Sequence, residues 1–305
     1  MKVLILDFGS QYTQLIARRI RELEVYAEII PYFHSIEDIR KENPSAIILS
    51  GGPSSIYDEG APRCAKEIFD LGVPVLGICY GLYLVVDAYG GKAEGSTHKE
   101  YGRAVIDIKT ESPLFKGLGP KETVWMSHGD RVTKLPDGFE LVASSENAAL
   151  AAVQNVEKRV YGIQFHPEVF HSEHGKEVLS NFLFNICKLE KNWNMKSFVE
   201  HAVESIRKEV GDGTVLLGLS GGVDSTVTAV LLKKAIGDRL YCVFVDNGVL
   251  RKNEAQQVVE RYTREMKLNL IHSDASELFL KKLKGVTDPE KKRKIVGERF
   301  IRVFE

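Results

Sequence analysis

Two stretches hold residues whose types and spacing could carry covalent chemistry. The first is Gly77-Ile-Cys79-Tyr-Gly81, set between an apolar strand-like run and an apolar helical run. Its spacing is that of the G-x-S-x-G nucleophile elbow with sulfur in place of the hydroxyl. The glycines permit a sharp turn and leave room for substrate. A helix N-terminus there favours a thiolate, because its N–H groups and dipole stabilise negative charge. The competing reading is a small buried cysteine in a tight turn. The second stretch is Gln164-Phe-His166-Pro-Glu168, which ends another strand-like run. Residues two apart in extended chain point the same way, so His166 and Glu168 can face each other. A cysteine nucleophile needs a base that later serves as acid, and the base needs an orienting carboxylate. His166 and Glu168 would supply both. Gly51-Gly52-Pro53 follows the run Ala46–Leu49, and its backbone N–H groups could hold an oxyanion. A simple turn accounts for it nearly as well.

A third stretch, Leu219-Ser-Gly-Gly-Val-Asp-Ser-Thr226, lies between a strand-like run and a helical one. Glycines and small hydroxyl residues at a helix N-terminus build an anion site from backbone N–H groups and the helix dipole. The pattern does not match G-x-x-x-x-G-K-S/T, so this is not a Walker-type loop. Asp246-Asn-Gly248 ends the next strand-like run, beside the crevice expected at the carboxyl ends of an open sheet.

These sites must be positioned by alternating elements. Apolar runs at Ala27–Pro31, Ala46–Leu49 and residues 3–6 and 73–78 alternate with helical patterns at 14–23 and 61–71. Buried strands of this length separated by helices predict a mainly parallel sheet with helices on both faces. From about Gly102 the runs become β-rich, at 104–108, 122–126, 141–144, 149–153 and 160–165, which predicts antiparallel extension of the sheet. A helix over 174–188 closes this unit. Polar residues 189–195 read as a linker, and a helix over 196–209 opens a second βαβ series. That series has strands at Val215–Leu219, 240–245 and 269–272 and helices at 225–235 and 253–266. The fold class is α/β: a mixed, mainly parallel sheet, then a second, Rossmann-like domain that is incomplete. The domains are 1–188 and 196–305, joined by 189–195.

With 305 residues, the chain has the length of about two domains. A formal net charge of −1 points to neither nucleic acid nor an anionic membrane surface. The opening MKVLILDFG is too short for a signal peptide's apolar region, and no apolar run reaches about 18 residues. The expectation is a soluble, cytoplasmic protein. Cys64, Cys79, Cys187 and Cys242 show no CxxC pair, so neither a disulfide framework nor a zinc site is expected. Cys64, Cys187 and Cys242 read as small apolar residues. His34, His98, His201 and His272 receive no role.

Five stretches, taken in order, resemble the class I glutamine amidotransferases. They are Asp7-Phe-Gly-Ser-Gln-Tyr12, Gly51-Gly-Pro53, Gly77-Ile-Cys-Tyr-Gly81, Trp125-Met-Ser-His-Gly-Asp130 and Phe165-His-Pro-Glu168. The first and fourth resemble the glutamine-hydrolysing GMP synthetase branch in particular. The resemblance implies a Cys79–His166–Glu168 triad that hydrolyses glutamine to glutamate and ammonia. It also implies an oxyanion and glutamine site drawn from Gly51, Gly52, Tyr80 and residue 83. The family usually has glutamine four residues after the nucleophile, where it helps to hold substrate. Here that residue is Tyr83, which lacks the amide's paired donor and acceptor, and weaker glutamine binding is expected.

The third stretch resembles the PP-loop of N-type ATP pyrophosphatases. The resemblance assigns Ser220, Gly221, Gly222, Val223, Asp224, Ser225 and Thr226 to ATP, with Asp224 as the link to Mg²⁺ and Asp246 on the nucleotide side. Residues 281–302 carry nine Lys or Arg against three acidic residues. A solvated helix face is the plain reading. The segment from Lys284 to Phe300 nevertheless resembles the GMP synthetase sequence after the PP-loop, and some of its cations are expected to meet nucleotide phosphates. This resemblance implies glutamine, ATP and xanthosine 5′-phosphate (XMP) as substrates, and GMP as product. Family members would continue for roughly one or two more domains through a C-terminal domain that makes them homodimers. The chain is thus expected to be C-terminally truncated. Two alternatives stay open: a glutaminase with an unproductive ATP-binding remnant, and a non-catalytic binding module. The stretches 7–12 and 284–300 disfavour NAD synthetases.

Overall fold

The structure is a computed structural model that describes residues 1–191 and 193–304; the side chains of residues 96–99 and 195–197 are not described. Asn192 of the expected linker, Glu305 and the side chain of His98 therefore lie outside the described residues. Contacts divide the chain into two compact units, Met1–Asn194 and Met195–Glu305.

The first unit begins β1 (Val3–Asp7), α1 (Thr13–Glu22), β2 (Ala27–Pro31), α2 (Ile36–Lys41), β3 (Ala46–Leu49), β4 (Val75–Ile78) and α3 (Tyr80–Ala88). It continues with β5 (Lys92–Ile108), β6 (Lys121–Lys134), β7 (Glu140–Ser144), β8 (Ala152–Asn155), β9 (Val160–Ile163) and α4 (Gly175–Ser180). The strands form one nine-stranded sheet in the order β2-β1-β3-β4-β9-β8-β7-β5-β6. The pairs from β2 to β9 are parallel and those from β9 to β6 antiparallel. Alternation along β1 explains the layering. Val3 and Ile5 enter one apolar core and Leu4 and Leu6 the other, so both faces of the sheet are covered. Each such side chain contributes about 1.5–3 kcal/mol on burial.

Two stretches differ from the sequence expectation. Where a helix was expected over 61–71, only a short 3₁₀ turn forms, at Lys66–Asp70. The Pro62 carbonyl that a helix would use instead accepts from the Tyr80 hydroxyl at 2.7 Å. The strands expected at 104–108 and 122–126 are parts of a much longer hairpin, β5–β6, of 17 and 14 residues. After α4 the chain widens into a π-turn at Asn181–Ile186. There Asn181 Nδ2 reaches out to the carbonyls of Leu114 and Lys116, at 3.0 and 2.9 Å.

The second unit runs α5 (Met195–Val210), β10 (Val215–Leu219), α6 (Val223–Ile236), β11 (Leu240–Asp246), α7 (Glu254–Glu260), β12 (Asn269–Asp274), α8 (Ser276–Leu283) and α9 (Pro289–Phe304). Its three strands are parallel, in the order β10-β11-β12. Phe244, Tyr262 and Leu240 anchor its core. No helix among the described residues is long and apolar enough to cross a membrane.

Candidate active site

The parallel strands β1, β3, β4 and β9 deliver their following residues to one side of the sheet, as an open α/β sheet does. Glycines let these segments close up. A Cβ on Gly77 would lie 2.4 Å from the Gly81 carbonyl oxygen, and one on Gly81 would lie 2.3 Å from that of Leu49. Cys79 stands between them, with φ 53° and ψ −101°, a left-handed backbone that costs roughly 1–3 kcal/mol. Its N–H donates to the Ile163 carbonyl at 2.8 Å, which ties the turn to β9.

His166 follows β9 and is fixed on every side. Its N–H donates to the Trp125 carbonyl at 2.9 Å. Its own carbonyl accepts from Ser172 Oγ at 2.6 Å. Nδ1 meets Glu168 Oε1 at 2.7 Å, which leaves Nε2 as the ring nitrogen that can serve the neighbouring Cys79. Glu168 is wholly buried, and its Oε2 has no hydrogen-bond partner. Arg19 Nε of α1 holds the Glu168 carbonyl at 3.0 Å, and the Tyr12 ring packs edge-on to the imidazole at 5.1 Å. Burial alone would depress the His166 pKa. The Glu168 carboxylate and the hydrogen bond to Cys79 overcome that effect and hold it well above the ordinary value. The folded value is the higher one, so the stability that His166 contributes is complete below about pH 6.5, the unfolded histidine value, and is lost as pH rises through the raised folded value.

The three expected residues of the triad therefore come together. The glycine loop after β3 joins them. A Cβ on Gly51 would lie 3.1 Å from His166 Cε1 and 3.7 Å from Cys79 Cβ, so a side chain there would intrude between imidazole and sulfur. A Cβ on Gly52 would lie 3.3 Å from Tyr80 Cγ, so this loop and the start of α3 abut. Above Cys79 and His166 opens a cavity of about 790 Å³, large enough for an amino-acid substrate. Its walls are the loop after β1 (Gly9 to Tyr12), the loop from Gly52 to Ser55, and the hairpin residues Tyr101 and Ser127 to Asp130.

Tyr83 also lines this cavity, although only 3% of it is exposed. Its hydroxyl donates to the Asp130 carbonyl at 2.6 Å and accepts from Gln164 Nε2 at 2.8 Å. Burial, with the Cys79 sulfur beside it, raises its pKa well above the ordinary value, so it stays a neutral phenol. Cys64, Cys187 and Cys242 lie elsewhere, and all four cysteines are free. Burial pushes the Cys64 thiol up to about 11, and those of Cys187 and Cys242 upward too. Sequence reasoning assigned no function to Ser10, Tyr12, Ser127, Asp130 or Gln164. The signal was present in the stretches 7–12, 125–130 and 164–168, but nothing in a strand pattern tells which of those residues face a cavity.

The second expected site follows β10. Gly221 has φ 82°, and Gly222 caps α6. Ser220 and Ser225 join through their hydroxyls at 3.0 Å. Gly222 N–H donates to Ser220 Oγ at 3.2 Å, and Thr226 Oγ1 donates to the Gly222 carbonyl at 2.6 Å. Val223 and Asp224 are exposed at the first turn of α6. Asp246 ends β11, and its Oδ1 accepts from Gly248 N–H at 2.9 Å. The loop is thus held open by its own small hydroxyls. Among the cations of α9, Arg293 pairs with Glu290, while Lys291 and Lys292 are exposed.

Residues 4–186 match the family model Glutamine amidotransferase class-I. That match spans more than half of the chain, and the chain belongs to this family. Residues 193–294 match the NAD synthase model. Over 303 residues the chain is 57% identical to the GMP synthase (glutamine-hydrolyzing) of Brachyspira hyodysenteriae, covering 99% of this chain and 59% of that protein. It is 54% identical, over the same shares, to the protein of that name in Bacillus cereus strain G9842. The chain therefore spans about three fifths of the length of these curated relatives. The crystal structure of a candidate GMP synthase component from Thermoplasma acidophilum aligns with TM-score 0.56 and 32% identity, over 62% of this chain and 94% of that one. A glutamine amidotransferase from Thermotoga maritima shares the fold, with TM-score 0.50 and 19% identity over 62% of this chain and 99% of that one.

Proposed function

We propose that residues 1–188 form a glutaminase, that 189–195 link it onward, and that 196–305 begin the ATP pyrophosphatase domain of a glutamine-hydrolysing GMP synthetase. The observation that carries this reading is the set Cys79, His166 and Glu168, buried together beneath an open cavity of about 790 Å³. The Cys79 thiolate attacks the side-chain carboxamide carbon of glutamine. Backbone N–H groups of Gly52 and Tyr80 steady the oxyanion. His166 gives its proton to the departing nitrogen, which leaves as ammonia, and a thioester remains. His166 then takes a proton from water, which attacks the thioester and releases glutamate with the thiol restored. Glu168 keeps Nδ1 protonated and turns Nε2 toward the sulfur.

In the second unit, Ser220 to Thr226 grip the pyrophosphate of ATP and Asp246 borders the nucleotide. The relatives' names and the NAD synthase match support ATP-dependent ligase chemistry there. The C2 oxygen of XMP takes AMP from ATP with loss of pyrophosphate, and ammonia then displaces AMP to give GMP. Mg²⁺ suits the exposed Asp224 carboxylate beside phosphate oxygens, a donor set typical of that ion, and when bound it would neutralise phosphate charge. A solvated α9 leaves Lys291 and Lys292 free for phosphate. A cytoplasmic homodimer belongs to the same reading.

The test is glutamate release with and without ATP and XMP. Release accelerated by both, with AMP formed, supports the synthetase. Release indifferent to both leaves a glutaminase with a silent ATP site, and no release leaves a binding module. Tyr83→Gln is expected to raise kcat/KM for glutamine roughly fivefold, the worth of one hydrogen bond of about 1 kcal/mol. Tyr83 has committed its hydroxyl to protein partners, whereas a carboxamide there would keep a donor for substrate. Steady-state kinetics showing no gain would refute this.

A further inference from the structure

The hydrogen bonds around Tyr83 fix the orientation of a neighbouring buried amide. The Asp130 carbonyl can only accept, so the Tyr83 hydroxyl proton must point at it across 2.6 Å. That carbonyl also accepts from His128 Nδ1 at 2.8 Å, so it is held from both sides. The Tyr83 oxygen is therefore left with lone pairs only. Whatever part of Gln164 faces it at 2.8 Å must be the NH₂ group, and not the carbonyl. The same nitrogen lies 3.9 Å from Cys79 Sγ, within hydrogen-bond reach of a large, soft sulfur. Turning the amide over would bring an oxygen against both the phenol's lone pairs and the sulfur. The observed orientation instead leaves Gln164 Oε1 buried without a partner, which the contacts of the NH₂ group must outweigh. Gln164 itself is wholly buried.

We infer that Gln164 is a catalytic residue of the amidase site: one N–H of its carboxamide donates to the Cys79 thiolate, and Tyr83 is the positioning residue that aims it. The Gln164 NH₂ donates both ways: one N–H goes to the Tyr83 oxygen, whose hydroxyl in turn donates to the Asp130 carbonyl, and the other goes to the Cys79 sulfur. This hydrogen-bonded chain joins β6, α3 and the end of β9, the three elements that carry the site. A donor to the anionic form favours that form. In the uncharged state the thiol can donate to the Ser127 carbonyl, 3.6 Å away, and no proton need pass along the chain. The Gln164 nitrogen touches both the Tyr83 oxygen and the Cys79 sulfur, at 2.8 and 3.9 Å, so phenol and sulfur share one neighbour. Substitution at residue 83 therefore acts on the nucleophile as well as on substrate. This inference rests on the reading of Cys79 as the nucleophile.

The test is the pH profile of alkylation of the full chain by iodoacetamide, read at the Cys79 peptide by mass spectrometry. Gln164→Met keeps length and removes the donor. The profile is expected to move about one unit toward higher pH, with kcat for glutamate release falling about tenfold and KM changed less. Tyr83→Phe keeps the ring and frees the amide, and is expected to shift the profile in the same direction by a smaller amount. If Gln164→Met fails to fold by circular dichroism, the Tyr83→Phe profile decides. A folded variant with an unmoved profile overturns the inference, even while the parent protein releases glutamate. A parent protein that neither alkylates at Cys79 near neutral pH nor releases glutamate overturns the glutaminase reading as well.

Discussion

Cys79→Ala is expected to abolish glutamate release, lowering kcat by on the order of 10⁴-fold or more, the loss typical of removing a nucleophile. The reasoning is geometric. Among the four cysteines, Cys79 is the one that shares a cavity with a histidine whose Nδ1 meets a carboxylate at 2.7 Å. Cys64, Cys187 and Cys242 carry thiols raised by burial, so none of them offers a thiolate near neutrality. The loss should be confined to glutamine: ammonium salts supplied directly should bypass the missing sulfur wherever the parent protein forms AMP from ATP and XMP. An enzymatic glutamate assay checks the first half and nucleotide chromatography the second. Residual glutaminase above a few per cent of the parent rate would place the nucleophile elsewhere.

Gly175→Ala carries the largest expected effect outside the triad. A Cβ on this first residue of α4 would lie 2.0 Å from the Pro167 carbonyl oxygen and within 2.9 Å of the Pro167 carbonyl carbon and Cα. All three are backbone atoms, with no flexible side chain to yield. Pro167 stands between His166 and Glu168, so either the start of α4 or the segment that carries base and carboxylate must move. A destabilisation of about 3 kcal/mol is expected, seen as a fall in Tm of roughly 10 °C. Glutaminase activity should fall with it, because the 2.7 Å contact between Nδ1 and Oε1 sits on the displaced backbone. An unchanged melting curve with unchanged kcat would show that the backbone accommodates the methyl group.

Gly175 also shows where reading the sequence stops. The tight turn at Cys79 and the pairing of His166 with Glu168 were legible because they are written in short spacings: a cysteine between two glycines, a histidine two residues from a glutamate. The sheet was legible for a similar reason. Val3, Leu4, Ile5 and Leu6 are all apolar, and such a run belongs inside a sheet covered on both sides. The requirement for glycine at 175 comes from a carbonyl eight residues earlier that folds back over it, and no local pattern encodes that approach. The hairpin β5–β6 was underestimated because its first half is polar, with cross-strand pairing rather than apolar alternation holding residues such as Glu94 opposite Arg131. The failed helix over 61–71 was lost to a side chain from α3 that takes the Pro62 carbonyl. Gln164 was visible as a letter in a motif, but its importance depends on which way an amide is turned. Only the partners of Tyr83 decide that.

The left-handed bend at Cys79 has an evolutionary consequence. A backbone at φ 53° suits glycine better than any residue with a Cβ. On the glutaminase reading, the polypeptide tolerates a less comfortable residue there for the sake of its reactivity. In a descendant lineage that drew ammonia straight from its surroundings, selection for the sulfur would lapse, and the same bend would drift toward glycine with a gain in robustness. Comparing residue 79 between lineages that still feed on glutamine and those that have stopped would then read out dietary history from a single torsion angle.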